Sequence, residues 1–135
     1  MVVETPSVIG ARAELAVATA LWKAGMDVYT PFFAPHLRVD LMAITASAPL
    51  RVQCKTSRVI AGVVYFRTCS LTRNVHVDYR GQIDAFGVYS PELDLVYLVP
   101  VDEASVRGCS LRLEPTRNNQ QAGIRWAADY LIGPP

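Results

Sequence analysis

The stretch that most constrains this chain is residues 37–56, LRVDLMAITASAPLRVQCKT. Apolar and polar side chains alternate on both sides of Ser47-Ala48-Pro49, a cluster with turn composition, so the segment reads as two strands folded back on each other. Successive side chains of a strand point to opposite faces. Val39, Leu41, Val52 and Cys54 are therefore expected on the core face. Arg38, Asp40, Gln53 and Lys55 share the other. A turn centred on residues 46 and 47 puts Asp40 opposite Gln53, with side chains about 5 Å apart, and Lys55 opposite Arg38. A lysine half-enclosed in a sheet is costly unless it meets an anion or serves chemistry.

The neighbouring segments complete an α+β pattern. Ser7 is the expected cap of an alanine-rich helix, VIGARAELAVATALWKA, that Gly25 stops. DVYTPFF at 27–33 reads as a short strand that Pro31 confines to an edge. GVVYFRT at 62–68 is another strand, and 72–82 is polar enough for a loop with a helical turn. IDAFGVYS and LDLVYLVPV flank Pro91-Glu92 as a hairpin. A short strand near 110–114 follows, and Asn118 is the expected cap of a last helix reaching Ile132. Helix, strands, helix, with no repeat or linker, predicts one domain over residues 1–135 built on a central mixed sheet flanked by helices.

Composition narrows the function classes. No apolar run approaches the roughly 18 residues of a membrane span, and the start shows no secretory pattern. Cys54, Cys69 and Cys109 are odd in number with no C-x-x-C pair, which argues against a zinc site or disulfide framework and for a cytoplasmic location. Net charge is only +1, but residues 51–80 hold six basic residues against one acid, Asp78, a local +5 that leaves −4 for the rest. Such a split is compatible equally with a polyanion site and with a solvated arginine rim.

Glu14 supplies a second carboxylate near the hairpin. Its neighbours at helical spacing are Gly10, Ala11, Val17, Ala18, Leu21 and Trp22, so it lies in the stripe expected to dock on the sheet. The plain reading pairs it with Arg12 or Arg38. The chemical reading joins it to Asp40 as oxygen ligands for Mg²⁺ or Mn²⁺, with the backbone carbonyl of Cys54 adding a third. Lys55 then orients water and stabilises charge developing on phosphorus, while Gln53 assists without counter-charge.

Gly10-x-x-x-Glu14, Val39-Asp40 and Gln53-x-Lys55, in this order, resemble the PD-(D/E)XK nuclease superfamily. More narrowly, they resemble the branch containing a group I intron homing endonuclease, in which glutamine replaces the acid of (D/E)XK. The likeness extends through Asp84–Tyr89, Val96–Pro100 and Asn118–Tyr130, roughly residues 7–132. It implies a restriction-endonuclease-like core with catalytic Glu14, Asp40, Gln53 and Lys55. It also implies a homing, restriction or resolvase-like endonuclease acting on double-stranded or branched DNA. Arg12, Arg38, Arg51, Arg58, Arg67, Arg73 and Arg80 are the expected phosphate-gripping residues. Cutting two strands with one site per chain implies a homodimer or homotetramer. Two positions depart from the pattern: Val39 stands where the signature has proline, and Gln53 where it has an acid. A DNA-binding module on the same fold that does not cut is the alternative.

Other residues carry weaker expectations. His36 and His76 lack ligand spacing and fit surface or loop roles. Asp84 is read as a structural carboxylate near Tyr79, ahead of a third active-site acid. Tyr65, Phe66 and Tyr79 interleave with Arg67 and Arg80, a composition that suits nucleic acid, although strand aromatics more often fill a core.

Overall fold

The computed structural model describes residues 4–33, 37–72 and 75–132, with the side chains of 70–72 and 75–78 outside the description. Arg73 and His36 therefore lie outside the described residues, as does the side chain of His76. A helix α1 (Pro6–Lys23) precedes strands β1 (Asp27–Tyr29), β2 (Leu41–Ile44), β3 (Pro49–Thr56), β4 (Arg58–Ile60) and β5 (Val63–Arg67). Then come β6 (Cys69–Thr72), β7 (Val75–Asp78), β8 (Ala85–Ser90), β9 (Leu95–Pro100) and β10 (Gly108–Arg112).

Strands β1-β2-β3-β8-β9 form one mixed sheet: β3 runs parallel to β8 and the other neighbours are antiparallel. The expected α+β class and central mixed sheet are thus present. One face carries α1, whose Ala13, Val17 and Leu21 at four-residue intervals are buried with Leu41, Val52, Cys54 and Val96. The opposite face is covered by a second sheet, β10-β5-β4, through Val64, Phe66, Cys109 and Leu111 packed on Phe86, Val88, Tyr97 and Val99. Backbone continuity links the sheets at Ser57, which is buried between β3 and β4 and donates both N–H (2.9 Å) and Oγ–H (3.0 Å) to the Tyr89 carbonyl. Arg58 and Lys55 therefore sit on opposite sides of a corner between two sheets.

Several local expectations are corrected. The helix cap is Thr5, not Ser7: its Oγ1 accepts from the Val8 N–H at 3.3 Å, and Pro6 takes the first helical position, where a missing N–H costs nothing. Gly25 does end the helix, at φ +94. Cys69–Thr72 and Val75–Asp78 pair antiparallel as β6 and β7, where a loop with a helical turn was expected over 72–82. No helix runs from Asn118 to Ile132. Asn119 and Gly123 take positive φ (55 and 73), which breaks helical propagation, and only a 3-10 turn, Ala127–Tyr130, remains. This segment instead lies along the sheets, bridging Arg112 to Trp126 and Tyr97 to Leu131.

Candidate active site

The β2–β3 hairpin has the register read from the sequence, Leu41↔Val52 through Ile44↔Pro49, but the ladder stops one residue short of Asp40. The Asp40 N–H donates to the Val52 carbonyl at 2.9 Å, so Asp40 and Leu41 oppose the same residue, as in a β-bulge. This local kink re-aims the carboxylate. Rather than facing Gln53 across a ladder, Asp40 Oδ2 accepts the Cys54 backbone N–H at 2.9 Å. Val39 shifts with it, packing against the core on the Phe86 side while Leu41, Val52 and Cys54 pack under α1.

Two groups converge on Asp40 from opposite faces of the sheet. Glu14 comes from α1, and the two carboxylates line one open groove of about 440 Å³ with Thr30, Pro31, Phe32, Phe33, Leu37 and Val39. Lys55 comes from the face of β3 opposite Val52 and Cys54. Its Nζ donates to Tyr79 Oη at 3.0 Å and lies 4.6 Å from the centroid of that ring. Gln53, half-buried, is on the same strand face, beside Phe86 in the parallel ladder. Gln53 and Lys55 share one face as expected, while Asp40 meets Lys55 and Glu14 just before β2 begins, with the bulge as the junction.

Electrostatics tie the three groups together. Burial pushes the Asp40 carboxyl up, while the Cys54 N–H and the Lys55 charge pull it down. Glu14 is exposed as a residue, yet partial desolvation of its carboxyl, and next the negative charge of Asp40, raise it. The Cys54 thiol is driven strongly upward by burial, then by Asp40 and Glu14, so it is no nucleophile. Among the described residues neither Glu14 nor Asp40 joins an ion pair; Arg12 binds Glu4, and Arg38 lies 5.5 Å from the centroid of Tyr79. Both arginines offered as plain partners for Glu14 are thus engaged elsewhere.

Two carboxylates on one groove, neither in an ion pair among the described residues, are a donor set suited to a hard divalent cation. No cluster of three or more His, Cys, Asp or Glu is present among the described residues, so further ligands would come from amide or hydroxyl side chains, backbone, water or phosphate oxygens. Asp84 stands apart from this groove. It accepts the Arg51 N–H at 2.8 Å and binds the Arg51 guanidinium at 3.1 Å through both oxygens, which lowers its pKa. Its partner is Arg51, not Tyr79. Tyr79, only 3% exposed, is the contributor the sequence did not show as such: 24 residues separate it from Lys55, and no local pattern links them.

The family model for PD-(D/E)XK endonuclease matches residues 5–132, and the chain belongs to that family. Its fold is similar to the solved structure of a bacterial homing endonuclease, I-Ssp6803I, with a TM-score of 0.69 and 22% identity over 96% of this chain and 88% of that one. No curated protein matches the chain. No helix among the described residues is long and apolar enough to cross a membrane.

Proposed function

We propose that this protein is a Mg²⁺-dependent DNA endonuclease, with Mn²⁺ as a substitute, that hydrolyses phosphodiester bonds at the Glu14–Asp40 groove beside Lys55. The observation that carries the reading is the position of Asp40 at the bulge, coupled to the Glu14 carboxylate on one side and the Lys55 ammonium on the other. Asp40, Glu14 and the Cys54 carbonyl would hold the cation, which would supply positive charge to polarise the scissile phosphate and acidify water. Lys55, anchored on Tyr79, directs its charge toward the phosphate and stabilises the negative charge that accumulates there. Gln53 offers hydrogen bonds beside Lys55. The likeness to a homing endonuclease supports a homing, restriction or resolvase-like role on double-stranded or branched DNA. One site per chain supports a homodimer or homotetramer for cutting both strands.

The test is incubation of purified protein with supercoiled, linear and four-way-junction DNA and Mg²⁺, beside Lys55→Ala and Asp40→Ala. The parent cuts and both variants are silent; variants that nick as fast as the parent remove the assignment. Gln53 in place of an acid favours a second reading, a non-cutting DNA-binding module. That reading predicts salt-dependent duplex binding without cleavage under any divalent cation.

A further inference from the structure

Phe32 and Phe33 are 88% and 86% exposed, with rings edge to face at 4.5 Å between centroids. They follow Pro31 after the edge strand β1, and both line the groove that holds Glu14 and Asp40. An apolar hollow of about 240 Å³ opens beside them, lined by Tyr29, Leu37, Val39 and Met42 among others, but neither ring lines it. Scattered apolar side chains on a surface need no explanation. Two adjacent phenylalanines almost wholly in water, next to a further apolar hollow, mark a surface that meets another molecule.

We propose that Phe32 and Phe33 form a base-stacking wedge that enters the DNA beside the phosphate bound at Glu14 and Asp40. This rests on the endonuclease reading above. The groove selects the occupant: a duplex whose phosphate reaches Asp40 has this loop against it, and phosphates offer apolar rings nothing. Bases do. Every base presents a π face, so stacking tolerates sequence, and an apolar wedge at a base step unstacks and kinks the duplex. Arg38, next to Leu37, places positive charge by the same loop, whereas Arg51, which borders the apolar hollow, is already paired with Asp84. A second copy of the chain covering both rings would close the groove to substrate, so it is the poorer occupant.

The experiment needs no cleavage. Closed circular plasmid is relaxed in EDTA by a metal-independent type I topoisomerase with saturating protein at low salt, and the linking-number distribution is read on a gel. The parent shifts the distribution. Phe32→Ala combined with Phe33→Ala leaves it as in protein-free controls and weakens duplex affinity by about tenfold or more. Trp at both positions restores the shift, which excludes a mere folding defect. A parent without any shift, or an alanine variant that keeps it, overturns the wedge. So does an alanine variant whose only change is its oligomeric state in sedimentation. Cleavage under Mg²⁺ with no shift defeats the wedge alone; a shift without cleavage under any divalent cation defeats the nuclease reading alone.

Discussion

At the residue scale, Asp40 and Glu14 carry their negative charge at the expense of the fold. Both carboxyls are raised by burial, and Glu14 further by Asp40. A carboxyl raised in the folded state destabilises that state once it ionises; the effect is absent below its unfolded pKa and complete above its folded one. Glu14→Gln is therefore expected to melt above the parent at neutral pH without divalent cation. The difference closes as pH falls through the raised value to the ordinary carboxylate range. Added Mg²⁺ raises the melting temperature of the parent and not of the variant, because a ligand of the native state alone stabilises it. Calorimetry over a pH series reads both. Asp84 has the opposite sign: its pKa is lowered by Arg51, so its contribution holds above the unfolded value and fades as pH falls through the folded one. Tyr79→Phe removes the hydroxyl that accepts from Lys55 but keeps the ring beneath Lys55 and Arg38. Hydrogen bonds to charged groups contribute about 1.5–3 kcal/mol in favourable settings. Half-buried Lys55 sets the effect near the low end, about tenfold in kcat with KM little changed, measured by initial rates on plasmid.

At the element scale, the site depends on how closely α1 lies on the sheet. Gly87 in β8 allows that approach: a Cβ there would stand 2.5 Å from Val17 Cγ1 and 3.0 Å from Val52 Cγ1. Gly87→Ala forces α1 outward or the valines aside, costing about 1–3 kcal/mol as overpacked cores do. Because Glu14 is one turn from Val17, cleavage is expected to fall more than thermal stability does, a contrast that melting and nicking assays on the same sample reveal. The elements also show where the sequence was legible. The hairpin register followed from a period-2 pattern with one apolar face, since a slip by one residue would have exposed Leu41 and Val52. The hairpin of β8 and β9 was marked instead by two apolar runs flanking Pro91-Glu92. The bulge at Asp40 was not, because it depends on one backbone bond to Val52 that no side-chain pattern encodes. The last helix failed for a related reason. Asn118 offered a cap, but the positive φ of Asn119 and Gly123 and the pairing with Tyr97 and Arg112 are decided by tertiary contacts.

At the scale of the whole molecule, the +5 of residues 51–80 separates into engaged and outward-facing charges. Arg51 is committed to Asp84 by three contacts, and Lys55 to Tyr79. Arg80 donates to the Ala104 carbonyl at 3.4 Å. Arg12, outside that segment, pairs with Glu4 and borders a separate hollow with Thr56 and Tyr89. Arg58 and Arg67 are exposed and, among the described residues, in no ion pair, on the small sheet that continues from β3 at the Ser57 corner. Arg58 is the single charged residue of β4 and follows Lys55 by three residues, just past the Ser57 corner. Phosphate contacts release counterions, so each one lost lowers the salt dependence of binding by about one unit of slope. Arg58→Ala is expected to reduce that slope by about one and to weaken duplexes of every sequence alike. Arg51→Ala changes the slope little, because its charge is already balanced within the fold, and instead lowers thermal stability by freeing a half-buried Asp84. Titrations of labelled duplex at several salt concentrations in EDTA separate the two. Equal slopes for both variants would mean that the Asp84 pair opens on DNA, making Arg51 a contact residue after all.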